Sequence, residues 1–106
     1  MNTLRSPNRR PTHPGELLRE DVFPALGISQ EELAQRLGVH RVSVNELLNE
    51  KRSLTPDLAL RLSKLLDTSP ESWLAMQTAV DVWEARQHAD LDNVKPLSKK
   101  RTAEPA

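Results

Sequence analysis

Arg41 and Asn45 are the two side chains of this 106-residue chain best suited to selective recognition chemistry. Four apart, they share one face of a helix. A guanidinium pairs bidentately with guanine O6 and N7, and a carboxamide with adenine N6 and N7. A plainer reading stands beside each: Arg41 as a surface ion pair with Glu46 or with an acid of the preceding helix, and Asn45 as a solvated polar position. Val42 could meet a thymine methyl or pack on a neighbour. Glu46 could accept from cytosine N4 or merely repel phosphate. Ser43, Asn49, Lys51 and Arg52 are candidates for phosphate contact, Lys51 and Arg52 the stronger because they carry charge.

Other chemistries find little support. The chain has no Cys, which excludes a disulfide scaffold and thiolate metal sites, and its 3 His (His13, His40, His88) are scattered. There is no glycine-rich phosphate loop, and no carboxylate cluster lies beside a base. The expectation is a protein that is not an enzyme, with no catalytic residues, metal, cofactor or small-molecule substrate. No apolar run approaches the roughly 18 residues that cross a bilayer, and the N-terminus lacks the apolar stretch of a secretion signal. That predicts a cytoplasmic protein with no membrane partner.

The 15 basic and 15 acidic residues cancel, which argues against a phosphate-binding protein until the chain is divided. Residues 1–13 hold Arg5, Arg9 and Arg10 and no acid, for +3, and residues 95–106 hold Lys95, Lys99, Lys100 and Arg101 against Glu104, for +3. Residues 14–94 therefore carry −6, while Ser29 to Leu54 balance at 4 basic and 4 acidic residues. Two basic tails flank an acidic body. The tails are polar, proline-containing and without apolar periodicity, so a flexible arm is expected over 1–12 and a flexible tail over 91–106. Both read as arms on DNA or as soluble ends. With hydrophobic residues at 37%, the single domain over 13–90 has a small core of Leu, Val and Ala, which predicts self-association.

Punctuation divides that domain into five helices. Pro14 suits a first helical turn, and Leu17, Leu18 and Val22 follow on one face before Pro24 and Gly27 end the helix. Ser29 and Glu32 form a capping box ahead of Leu33, Ala34 and Leu37, with Gly38 at the C-terminal turn. His40 to Asn49 carries Val44, Leu47 and Leu48 on one side and polar residues on the other. Thr55-Pro56-Asp57 opens a fourth helix with Leu58, Leu62, Leu65 and Leu66, ending near Asp67. Ser69-Pro70-Glu71 opens a fifth, over about 70–88, with Trp73, Met76, Val80 and Trp83 on one stripe. That stripe reads as core or dimer interface rather than a ligand box. No segment alternates with period two, so the fold class is all-α.

Within 29–49, two short helices meet at a glycine turn, with small Ala34 facing the crossing and Val44 and Leu47 as an apolar plug. This resembles the helix-turn-helix of the phage-repressor (XRE) family, although an αα-corner without DNA shares the pattern. The resemblance extends to His13-Pro-Gly-Glu-Leu-Leu-Arg-Glu20, Leu26-Gly-Ile-Ser-Gln-Glu-Glu-Leu-Ala, Leu47-Leu-Asn, Leu58-Ala-Leu-Arg-Leu and Thr68-Ser-Pro-Glu-Ser-Trp-Leu. Over about 75 of the 106 residues the chain is similar to HigA-type antitoxins, the VapI-like branch of the XRE proteins.

That resemblance implies a five-helix repressor-like domain with two roles: repressing its own operon at palindromic double-stranded operator DNA, and neutralising a HigB-type toxin, a ribosome-dependent mRNA endonuclease. It implies a homodimer, because one helix-turn-helix covers a half-site, and helix five is expected to contribute to the pairing. Gln30 matches the position from which family members hold a phosphate. His40 stands where Ser or Thr commonly caps the recognition helix, and is a weaker cap that could donate to phosphate. Asn49-Glu50-Lys51 stands where Asn-Gly-Lys is common, so Glu50 is expected in a strained backbone with its carboxylate near phosphate. Pro24 lies one place earlier than the usual proline.

The toxin surface is not marked by residue type. Asp67, Glu71, Asp81, Glu84, Asp90 and Asp92 offer a charge-complementary face for a basic toxin, or simply a solvated one. Two other readings stay open: a solitary XRE-type regulator without a toxin, and a protein-interaction module whose helix-turn-helix no longer binds DNA.

Overall fold

The structure is a computed structural model that describes residues 9–97. Among the described residues there are five helices and no strand. The first, α1, runs without a break through Pro14–Leu17, Leu18–Val22 and Phe23–Leu26. The others are α2 (Gln30–Leu37), α3 (Arg41–Leu48), α4 (Pro56–Leu66) and α5 (Pro70–His88). Leu18, Leu33, Leu47, Leu58, Leu62 and Trp73 are among the side chains of one shared core. Trp73 and Val80 of the expected stripe are buried, whereas Met76 and Trp83 are half-buried.

The start signals behave as the residue types demand. Ser29, Thr55 and Ser69 sit in extended backbone and accept from the N–H of Glu32, Leu58 and Ser72 respectively. His13 does the same for α1, its Nδ1 accepting from Gly15 N at 2.8 Å. The reciprocal half of the capping box is a correction. The Glu32 carboxylate takes an ion pair from Arg36 at 2.8 Å, one turn on, instead of returning to the cap.

A second correction concerns Pro24, which does not end α1. The turn before it widens to a π-helix, with Phe23 N–H reaching back to Leu18 O. Adding one residue to that turn re-registers the hydrogen-bond ladder, so the absent proline N–H opens no gap. Only Gly27, at φ 67°, ends the helix.

Arg10, counted with the arm from the sequence, is bonded to the body through Glu50 and Glu84. Residues 91–97 carry no helix and only a turn from Val94 N–H to Leu91 O. The remaining arm and tail expectations, over 1–8 and 98–106, lie outside the described residues.

Candidate nucleic-acid interface

The corner between α2 and α3 is built from backbone first. Gly38 takes φ 73°, and the chain closes in a Schellman turn, with Val39 N–H on Ala34 O at 3.0 Å and Gly38 N–H on Gln35 O at 3.1 Å. The last α2 carbonyls would otherwise lack donors. Arg61 of α4 supplies them, donating to Leu37 O at 3.0 Å and Gly38 O at 3.3 Å while Asp57 holds its Nε at 2.8 Å. Arg61 therefore fixes the angle at which α3 leaves α2. Its i,i+4 spacing from Asp57 was visible in the sequence, but its grip on the corner was not.

On α3 the two faces separate cleanly. Val44, Leu47 and Leu48 are buried, while Arg41, Val42 and Asn45 are exposed, Val42 to 63%. Arg41, Val42, Asn45, Glu46 and Lys51 line one open concavity. Among the described residues Arg41 has an ion pair neither with Glu46 nor with an acid of α2, and Glu46 instead holds Arg52 at 2.8 Å. Arg52 thus shares its charge with a carboxylate. Lys51, exposed in the loop, does not.

Asn45 is held from both ends. Its Nδ2 donates to Gln30 Oε1 at 3.2 Å, and its Oδ1 accepts from Asn49 Nδ2 at 3.3 Å. The Gln30–Asn45–Asn49 chain fixes the plane of the Asn45 amide and leaves one N–H and one lone pair unused among the described residues. It also links the first residue of α2 to the exposed face of α3. His40 is the N-cap of α3 and makes no side-chain cap bond, so its exposed imidazole is available to another acceptor. Ser43 is half-buried on the first turn.

The end of α3 carries the anticipated strain. Glu50 sits at φ 60°, the position that closes a second Schellman turn: Lys51 N–H on Glu46 O at 2.8 Å and Glu50 N–H on Leu47 O at 3.0 Å. Its carboxylate, however, is not left facing phosphate. It turns inward to Arg10 at 2.9 Å and Arg19 at 3.1 Å, and the side chain is only 20% exposed. The Arg10 hydrogen bond holds the Glu50 carboxyl below its ordinary pKa, against the opposing effect of burial and with further help from Arg19. Arg19 also donates to Leu48 O at 2.7 Å, satisfying a carbonyl at the end of α3.

Two further residues position the corner: Gln77, which lies outside any motif, and Gly15, within the His13-Pro-Gly-Glu stretch. Gln77, buried on α5, accepts from Leu54 N–H at 2.8 Å and donates to Asp81 at 2.9 Å, which ties the loop carrying Lys51 and Arg52 to α5. Gly15 packs against α3 so closely that a Cβ there would overlap the Leu47 carbonyl oxygen. The candidate acids on or near α5 are scattered in their bonding. Asp81 serves Gln77, Glu84 meets Arg10 at 3.3 Å, and Glu71 accepts from the Ser69 hydroxyl at 3.0 Å.

Two short amphipathic helices, α2 and α3, joined by a left-handed glycine and locked by a neighbouring helix, with the polar face of α3 exposed, define a helix-turn-helix domain. Residues 18–73 match the helix-turn-helix family HTH_3. The chain belongs to that family, in its HigA-type, VapI-like branch. It is similar to antitoxin HigA-1 of Vibrio cholerae, 38% identical over 96 residues that cover 89% of this chain and 90% of that protein. It is also similar to antitoxin GraA, solved in complex with its operator: 47% identity, TM-score 0.71, 78% of this chain and 84% of that one. A third likeness is to Pseudomonas aeruginosa antitoxin HigA with the higBA promoter: 33% identity, TM-score 0.75, 84% of this chain and 100% of the other.

Proposed function

We propose that this chain is a sequence-specific, operator-binding autorepressor that also neutralises a HigB-type mRNA endonuclease toxin. The observation that carries the reading is the exposed face of α3, where Arg41, with no ion pair among the described residues, and doubly held Asn45 stand one turn apart beside Val42. Inserted in a major groove, Arg41 reads guanine, Asn45 reads adenine and Val42 meets a thymine methyl. Gln30, at the first turn of α2, and His40, Ser43, Asn49, Lys51 and Arg52 around α3 contact the phosphate backbone. Two such units, paired as a homodimer through α5, read the two halves of a palindrome. The relatives solved with an operator and with a promoter support this reading, as does the naming of HigA-1 as an antitoxin.

Two titrations test the base-reading assignment. Arg41→Ala costs about 1–3 kcal/mol on the duplex taken from the chain's own promoter and relaxes sequence preference, whereas Lys51→Ala weakens all duplexes and flattens the salt slope. Equal loss on promoter and scrambled duplexes would show that Arg41 reads no base. The toxin role is tested by co-expression with the adjacent open reading frame, followed by a pull-down and an operator shift. A shift without a captured partner makes the chain a solitary regulator, and capture without a shift makes it a protein-interaction module.

A further inference from the structure

Glu50 occupies a position where glycine would be unstrained, yet its side chain gathers two arginines from elsewhere in the chain. Arg10 comes from the segment ahead of α1 and reaches across to Glu84 of α5 as well. Arg19 comes from α1 and caps Leu48 O. Lys51, the next residue, lines both the concavity on the exposed face of α3 and the cleft that holds Arg10, Glu50 and Glu84. The α3 face and the cleft therefore adjoin at Lys51. Arg9, beside Arg10 in the chain, is exposed and has no ion pair among the described residues.

We propose that Glu50 is a positioning residue for duplex binding: by anchoring Arg10 it seats the N-terminal segment beside Lys51, so that Arg9 and Lys51 together meet the phosphate backbone next to the end of the recognition helix. The inference rests on the DNA-binding reading above. It assigns the inward-turned carboxylate a task that glycine could not perform, and it gives the N-terminal segment a fixed departure point from the body. Phosphate contact then comes from two cations that have no acid partner among the described residues, while Arg10 and Arg19 stay with their carboxylates.

The test uses the full chain and a labelled duplex from its own promoter, titrated by fluorescence anisotropy at several salt concentrations. Glu50→Gly is the informative variant, because glycine adopts the left-handed backbone without strain and so removes the anchor while sparing the turn. Glu50→Gly and Arg10→Ala are each expected to lose about threefold to tenfold in affinity. Both should also reduce the salt slope by about one, as removal of one phosphate contact does. Arg9→Ala should lose the same slope with an unchanged melting temperature, and combining Arg10→Ala with Glu50→Gly should cost no more than either alone. If Glu50→Gly binds as tightly as wild type or tighter, the carboxylate anchors nothing the duplex uses, and the proposal is overturned. A loss with an unchanged salt slope overturns it too. A wild-type chain that binds no duplex at any salt overturns the DNA-binding reading itself, and this proposal with it.

Discussion

His13 and Glu50 both make the N-terminal side of the domain sensitive to acid. Burial lowers the His13 pKa, since the charged imidazolium would lose its hydration. Its Nδ1 must also stay unprotonated to accept from Gly15 N–H. An unfolded chain takes up this proton near pH 6.5, as an ordinary histidine does, while the folded chain resists it. The contribution of His13 is thus complete above about pH 6.5 and declines as pH falls toward its folded value. Glu50 behaves as a lowered carboxylate. Its contribution is present above the ordinary value of about 4.3 and is lost as pH falls through the lower folded one. Melting temperature followed by circular dichroism should therefore begin to fall below about pH 6.5, an upper stage due to His13, and fall further below about 4.3. His13→Asn keeps a capping oxygen without a titrating ring, so it should abolish the upper stage, whatever its effect on absolute stability. An upper stage that survives in His13→Asn would assign that window to another group.

Residue types put Arg41 and Asn45 forward as candidate readers, and the family resemblance foresaw the strain at Glu50. They did not show where the Glu50 carboxylate would point. Its partner Arg10 lies 40 residues away, and no local rule couples the two positions. The choice between phosphate and cytosine for Glu46 was equally out of reach, because Arg52, six residues on, is brought back to it by the Schellman turn.

Among the elements, α2, α4 and α5 begin where Ser29, Thr55 and Ser69 predict, because a cap is a contact between residues three apart and needs no tertiary help. The proline rule fails for α1 because a helix can lose one donor by shifting its ladder, and the sequence does not announce that shift. Two predictions belong at this scale. Gly15→Ala should destabilise the fold by about 1–3 kcal/mol in urea denaturation, since the new methyl meets backbone rather than a movable side chain. Gln77→Leu should cost about 1–3 kcal/mol by leaving the Leu54 N–H buried without an acceptor, and Gln77→Glu should not restore it, because its carboxylate would face the Asp81 carboxylate to which the amide now donates. A neutral Gln77→Leu would mean that the loop after α3 does not depend on α5.

For the whole molecule, the expected unit is a dimer, and light scattering should give about twice the 12.0 kDa chain mass. The far half of α5 offers an apolar contact point for such pairing, with Val82 43% exposed. Val82→Asp should shift the population toward monomer and weaken palindromic duplexes more than isolated half-sites. A monomeric wild type with full operator affinity would refute the pairing.

The five helices, the glycine corner and the family resemblance could all be read from the order of residues. Caps, turns and apolar stripes are interactions within one or two helical turns, and local chemistry is enough to specify them. The setting of the recognition helix was decided elsewhere in the fold. Arg61 on Leu37 O, Gln77 on Leu54 N–H and Arg10 on Glu50 join residues 24, 23 and 40 apart. Each pairs a long polar side chain with a group whose own neighbours leave it unsatisfied, and such partners become identifiable only once the chain has packed.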